Sequence, residues 1–178
     1  MRILNSDGFD SLLSANHAIA DFSKTAYRRI RHLYAMTKPT CSTAIPCVRY
    51  RDAHAALDWL IRAFGFQKNA VYTGPDNAVI HAQLTLGEGG MIMLGSVDNR
   101  SEYGKLMAHP DEIDLRETKG IYLVVPDADT TYKTAKLEGA KMVLDIRDME
   151  YGGRGFTCRD LEGYLWSIGT YDPWQTSA

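Results

Sequence analysis

The same order of structural signals occurs twice in this chain, and a repeat of that kind limits the fold before any single residue is weighed. From residue 44 the segment AIPCVRYRDAHAALDWLIRAFGFQ reads as a short strand, an aspartate, an amphipathic helix, a glycine and a second strand. From residue 120 the segment GIYLVVPDADTTYKTAKLEGAKMV repeats that order. Asp52 and Asp127 stand where a helix N-cap belongs, and a carboxylate there accepts hydrogen bonds from first-turn amides. Gly65 and Gly139 stand where the chain leaves each helix through positive φ. Ala53, Ala56, Leu57, Leu60, Ile61 and Phe64 recur at three- and four-residue spacing, which gives the first helix one apolar stripe to pack on a sheet.

Three strand-like stretches follow each helix. FQKNAVYT, AVIHAQLTLG and GMIMLGS come after the first, and KMVLDIRD, GRGFTCRD and YLWSIGTY after the second, separated by Gly-rich turns. The order is βαβββ, twice. The fold class expected is therefore α+β: paired βαβββ modules forming a curved mixed sheet of eight strands with a concave cup, helices outside. Module one covers about residues 43–98, a polar linker about 97–119, and module two about 120–175, together one domain over 43–175.

Residues 1–42 are a different kind of sequence. Six basic and three acidic residues fall in 1–40, against fourteen and nineteen in 41–178. The pattern predicts an amphipathic helix over 14–34 in a dispensable extension ahead of the domain. It lacks the apolar core of a secretory peptide, and its three aspartates argue against a transit peptide. The overall net charge of −2 and the absence of a basic stripe speak against nucleic acid as a partner. No apolar run approaches the length of a membrane span. Cys41, Cys47 and Cys158 form no metal-finger spacing; they read as reduced, inert core thiols, which implies a cytoplasmic location.

The repeated units, the YRDAHAALDWLIRAFGF segment, the HAQLTLGEGGMIML hairpin and the closing RDLEGYLWSIGTY resemble the vicinal oxygen chelate superfamily, which includes glyoxalase I, bleomycin-resistance proteins, fosfomycin-resistance enzymes and extradiol dioxygenases. The resemblance covers about residues 43–174 and is specific for the fold, much less so for the reaction. It implies a homodimer. It also implies, for members that do chemistry, a divalent metal held by His and Glu side chains from the first and last strand of each module. The matching positions here are Ile45, Met93, Gly120 or Ile121, and Ser167. A neutral hydroxyl is no substitute for an anionic carboxylate ligand, so no metal residues and no cofactor are assigned.

Remaining side chains suit an organic ligand. Cys47 and Arg49 share the face of Ile45, and a guanidinium can take a carboxylate or phosphonate bidentately or form a surface salt bridge. His81, Gln83 and Thr85 form a polar face opposite Ile80, Ala82, Leu84 and Leu86. Met91 and Met93 give a deformable apolar floor, and Tyr122 an aromatic wall with a phenol donor. Arg154 and Tyr151 belong to a Gly-rich loop that either closes over the cup or turns a hairpin. Ser167 points to the same face as Leu165 and Gly169. Trp59 and Trp166 are expected in the core and Trp174 at the C-terminal edge; His54 and His109 are expected to face solvent. The reading that follows is a glyoxalase/bleomycin-resistance-like protein binding a small organic molecule without the usual metal. The alternatives are a metal-dependent lyase, isomerase or dioxygenase with a rearranged ligand set that recruits His81, and a structural dimer with a vestigial site.

Overall fold

The computed structural model describes residues 42–98 and 101–175. The expected extension over 1–42, with its helix, lies outside the described residues apart from residue 42. Residues Cys41–Ala178 form one compact unit. Its first module runs β1 (Cys47–Tyr50), α1 (Ala53–Phe64), β2 (Gln67–Thr73), β3 (Val79–Leu86) and β4 (Gly90–Ser96), and its second β5 (Ile121–Val124), α2 (Ala128–Leu137), β6 (Lys141–Asp148), β7 (Arg154–Arg159) and β8 (Leu165–Gly169). This is an α+β fold of two βαβββ modules.

The helix boundaries follow from the capping chemistry. Asp52 accepts from the Ala55 amide at 3.0 Å and Asp127 from the Thr130 amide at 3.0 Å, each satisfying a first-turn donor. Gly65, at φ 79°, closes α1 by donating its amide to the Ile61 carbonyl; Gly139, at φ 90°, lets the chain leave α2.

Each module forms its own four-stranded mixed sheet, in the orders β1-β4-β3-β2 and β5-β8-β7-β6. The single eight-stranded sheet expected from the sequence is thus two sheets, because β1 and β5 remain edge strands and do not pair with each other. What joins the modules is a shared core. Leu57, Leu60, Leu84 and Leu94 of the first are buried in one cluster with Phe156, Trp166 and Ile168 of the second. Phe64, at the end of α1, and Phe66 set their rings 5.4 and 6.3 Å from the Trp166 ring. The two helices pack on each other. There the Trp59 indole donates to the Glu138 carbonyl at 2.7 Å and Arg62 pairs with the Glu138 carboxylate at 2.8 Å.

A polar node reinforces that junction. The turn after β7 buries Asp160, only 2% exposed, which accepts from the Tyr50 hydroxyl at 2.7 Å, the Trp166 indole at 2.9 Å and the Tyr164 amide at 2.9 Å. Next to it Glu162 accepts from the Arg51 and Asp52 amides at 2.7 and 2.8 Å and bonds His109 at 2.7 Å. His109 was expected to face solvent and is buried instead. The linker folds back through a short helical turn, Pro110–Ile113, capped by His109 and Glu112, and this carries the imidazole under the Tyr164 ring. Two further expectations are corrected. Ile80 is exposed and Val79 takes the inward position, because a register shift near Tyr72 and Thr73 inserts an extra residue into the β2–β3 ladder. Trp174 is 71% exposed and seals no edge.

Candidate functional site

With the core-facing side of each sheet committed to the helices, the opposite faces are open. Strand register then decides which side chains share them. In module one Cys47 pairs with Met93 and Met93 with Gln83, so these three form a row across β1, β4 and β3. The next row carries Arg49, which pairs with Gly95, and then His81 beside Tyr72. In module two the row Tyr122, Ser167, Thr157, Leu144 occupies the corresponding place. Alternation in β8 is as the sequence predicts: Trp166 and Ile168 are buried in the core while Leu165 and Ser167 are half-buried on the open side.

Of the eight candidate residues, five gather on the first open face: Cys47, Arg49, His81, Gln83 and Met93. Tyr122 and Ser167 gather on the second. Arg154 joins neither group. It opens β7, donates to Asp129 of α2 at 2.8 Å and to Asp148 at 3.0 Å, and is thereby held toward the helix. The Gly-rich segment beside it turns the β6–β7 hairpin, with the Met149 amide donating to the Gly153 carbonyl.

Amide orientation on the first face is set by a short chain of bonds. Asn69 donates from Nδ2 to Gln83 Oε1 at 2.7 Å, which leaves Gln83 Nε2 to donate to His81 Nε2 at 3.1 Å. The acceptor lone pair of His81 Nε2 is therefore in use, and its ring lies stacked 6.1 Å from that of Tyr72. On the second face the Tyr122 hydroxyl donates to the Tyr171 carbonyl at 3.0 Å, and burial raises its pKa above the ordinary phenol value. It lies over Gly169, where a β-carbon would come within 2.7 Å of the phenol oxygen. The Ser167 hydroxyl meets that of Thr157 at 3.3 Å.

The three cysteines do not share one environment. Cys158 is buried in the core, and burial pushes its thiol up to about 12. Cys47 is exposed on the open face, which corrects its assignment as an inert core residue. Cys41 lies outside the described residues.

The donor set at the four positions that would hold a divalent ion does not fit one. Ile45 and Gly120 carry no donor atom, Met93 offers a neutral thioether and Ser167 a neutral hydroxyl already bonded to Thr157. Protein sites for hard and borderline ions are built from oxygen and imidazole donors, most often carboxylates and histidines, and these four positions offer neither of those two groups. Among the described residues no group of three or more His, Cys, Asp or Glu side chains is arranged to hold a metal.

Sequence reasoning missed the polar node of Asp160, Glu162 and His109. A signal for part of it was present: His109 and Glu112 stand three apart around Pro110, a capping-box spacing. The partners contributed by Tyr50 and Arg51 lie more than a hundred residues from the turn and leave no local trace.

Two βαβββ modules with open mixed sheets define a class of protein, and comparison places the chain within it. Residues 42–168 match the Glyoxalase/Bleomycin resistance protein/Dioxygenase superfamily, and the chain belongs to that family. It is 31% identical over 118 residues to the uncharacterized protein Mb0911c of Mycobacterium bovis, covering 66% of this chain and 76% of that one. Among solved structures, TioX from Micromonospora sp. ML1 is 27% identical with a TM-score of 0.57, over 76% of this chain and all of its own (100%). A glyoxalase-related enzyme from Fulvimarina pelagi shares the fold at 15% identity and a TM-score of 0.56, over 77% of this chain and 93% of that one. Among the described residues no helix is long and apolar enough to cross a membrane.

Proposed function

We propose that this protein binds a small organic molecule in a cup lined by its open sheet faces, without the divalent metal used by the enzymes of its family. One observation carries the reading: the positions facing the cup where metal ligands belong hold Ile45, Met93, Gly120 and Ser167, while the same faces keep hydrogen-bonding and aromatic groups at Arg49, His81, Gln83 and Tyr122. A metal held by His81 would need further ligands beside it, and among the described residues no group of three or more His, Cys, Asp or Glu side chains is arranged to hold one, which disfavours a lyase, isomerase or dioxygenase built around His81.

The assembly we propose is a homodimer in the cytoplasm. Support comes from the edges. The outer strands β2 and β6 carry register shifts, a device that discourages further pairing, whereas β1 and β5 pair regularly with β4 and β8 and each keep one side unpaired among the described residues. A second copy that sets its module against these edges would complete each cup. The free thiols of Cys47 and Cys158 fit a reducing compartment.

A thermal-shift screen in buffer containing EDTA tests the reading. A true ligand at a hundred times its dissociation constant contributes about 2.7 kcal/mol and raises the melting temperature by several degrees. A library of aromatic acids, glutathione conjugates, aromatic diols and glycopeptides that moves the transition nowhere would leave the vestigial dimer as the better account.

A further inference from the structure

Arg49 differs from the other arginines that bind side chains in this fold. Arg51 closes on Asp111 and Glu112, Arg62 on Glu138, and Arg154 on Asp129 and Asp148. The polar contacts of Arg49 are instead a backbone carbonyl, that of Ser96 at 3.4 Å, and an aromatic ring, that of Tyr103, whose centroid lies 5.5 Å from the guanidinium carbon. Its Nη1 lies over Gly95, close enough that a β-carbon there would come within 2.6 Å of it. Absence of a side chain at Gly95 is therefore what lets the guanidinium lie across the open face, and Tyr103 holds it there.

The surroundings show what such a group is suited to meet. Cys47, Met93, Gln83, Thr85, His81 and Tyr72 share the sheet face and none of them is acidic, while Asp98, just past β4, borders the small cavity that Arg49 lines together with the linker. A guanidinium has five donors in a planar fork, and here one hydrogen bond is made to the described residues. The chemistry complementary to that fork is a planar pair of anionic oxygens. Beside it the thioether of Met93 and the stacked Tyr72 and His81 rings offer a polarisable, flat surface that favours an aromatic body over a sugar or a peptide.

We infer that the cup of the first module takes a planar organic acid, its carboxylate paired with Arg49 and its ring system lying toward Met93 and the Tyr72–His81 stack. This rests on the organic-ligand reading above and narrows it to one chemical class.

Calorimetric titration with naphthoate and with naphthamide, its neutral isostere, in EDTA-containing buffer separates the possibilities. The acid should bind at least roughly tenfold more tightly than the amide, the preference given by one charge-assisted bidentate contact. Arg49→Gln should bring the acid down to the level of the amide, and Arg49→Lys, which keeps the charge but loses the fork, should fall between. Melting curves of both variants should stay close to that of the parent, because Arg49 closes no ion pair among the described residues. Equal binding of acid and amide, or a preference that survives Arg49→Gln, overturns the inference and leaves the organic-ligand cup standing. The same holds if neither probe binds while a neutral compound from the wider screen does. If no compound of any kind stabilises the protein, both readings fall together.

Discussion

Asp160→Ala is expected to destabilise the fold by ~4 kcal/mol, a large part of the 5 to 15 kcal/mol that holds a domain of this size together. The carboxylate accepts from Tyr50, Trp166, Tyr164 and Glu162, and the first two donors are themselves buried. Alanine leaves those donors without acceptors in a space water does not readily fill, the expensive direction for a buried hydrogen bond. Asp160→Asn keeps the shape and one acceptor oxygen, so about half of that loss is expected. The urea midpoint reads both, with an unchanged slope showing that the unfolded reference is the same. A loss below about 1 kcal/mol for the alanine variant would mean the node is not what locks β1 to the second module. The pH dependence has a definite sign. Burial raises the Asp160 carboxyl above its ordinary value, against the hydrogen bonds that lower it. A raised folded-state value contributes stability that is fully present below the unfolded value and is lost as pH rises through the folded one. Asp160→Asn should remove that slope.

Trp166→Ala should cost a similar ~4 kcal/mol, by a different mechanism. The indole is fully buried and is the surface on which Phe64 and Phe66 of module one meet module two. Removing it opens a cavity between α1 and the second sheet and leaves Asp160 without one of its donors. Trp166→Phe refills most of the volume but not the hydrogen bond, so about 1.5 kcal/mol is expected for it. Thermal melting separates the two variants. If they melted together, loss of the Nε1 bond rather than the cavity would carry the effect.

The local elements were legible because their causes are local. An aspartate three residues ahead of the amide it caps, a glycine at positive φ and an apolar stripe at helical spacing all lie within one stretch of chain, and Asp52, Gly65 and the Leu57–Leu60 stripe behave as that chemistry requires. The face of Ser167 followed from simple alternation. Alternation failed at Ile80, where an extra residue in the ladder reverses the faces, and nothing in the residues 79–82 announces such a bulge. His109 was misjudged for a related reason: a polar linker is read as solvated unless its partners are known, and its partner Glu162 is 53 residues away. The Gly-rich loop beside Arg154 could close over the cup or turn a hairpin; it turns the hairpin, and Asp129 in the first turn of α2 claims the guanidinium. Arg49 and Cys47 were assigned to the right face, but the contact of Arg49 with Gly95 and Tyr103 exists only once β4 and the linker are laid beside β1.

The most direct test of the account is the metal content of the protein prepared without chelators and dialysed against trace divalent ions. With Ile45, Met93, Gly120 and Ser167 at the positions that would hold an ion, well under about 0.1 equivalent of any divalent metal per chain is expected, and ligand-induced stabilisation should be the same with or without EDTA. About one equivalent per chain, lost on His81→Ala, would contradict it and show a metal site built from another set of residues.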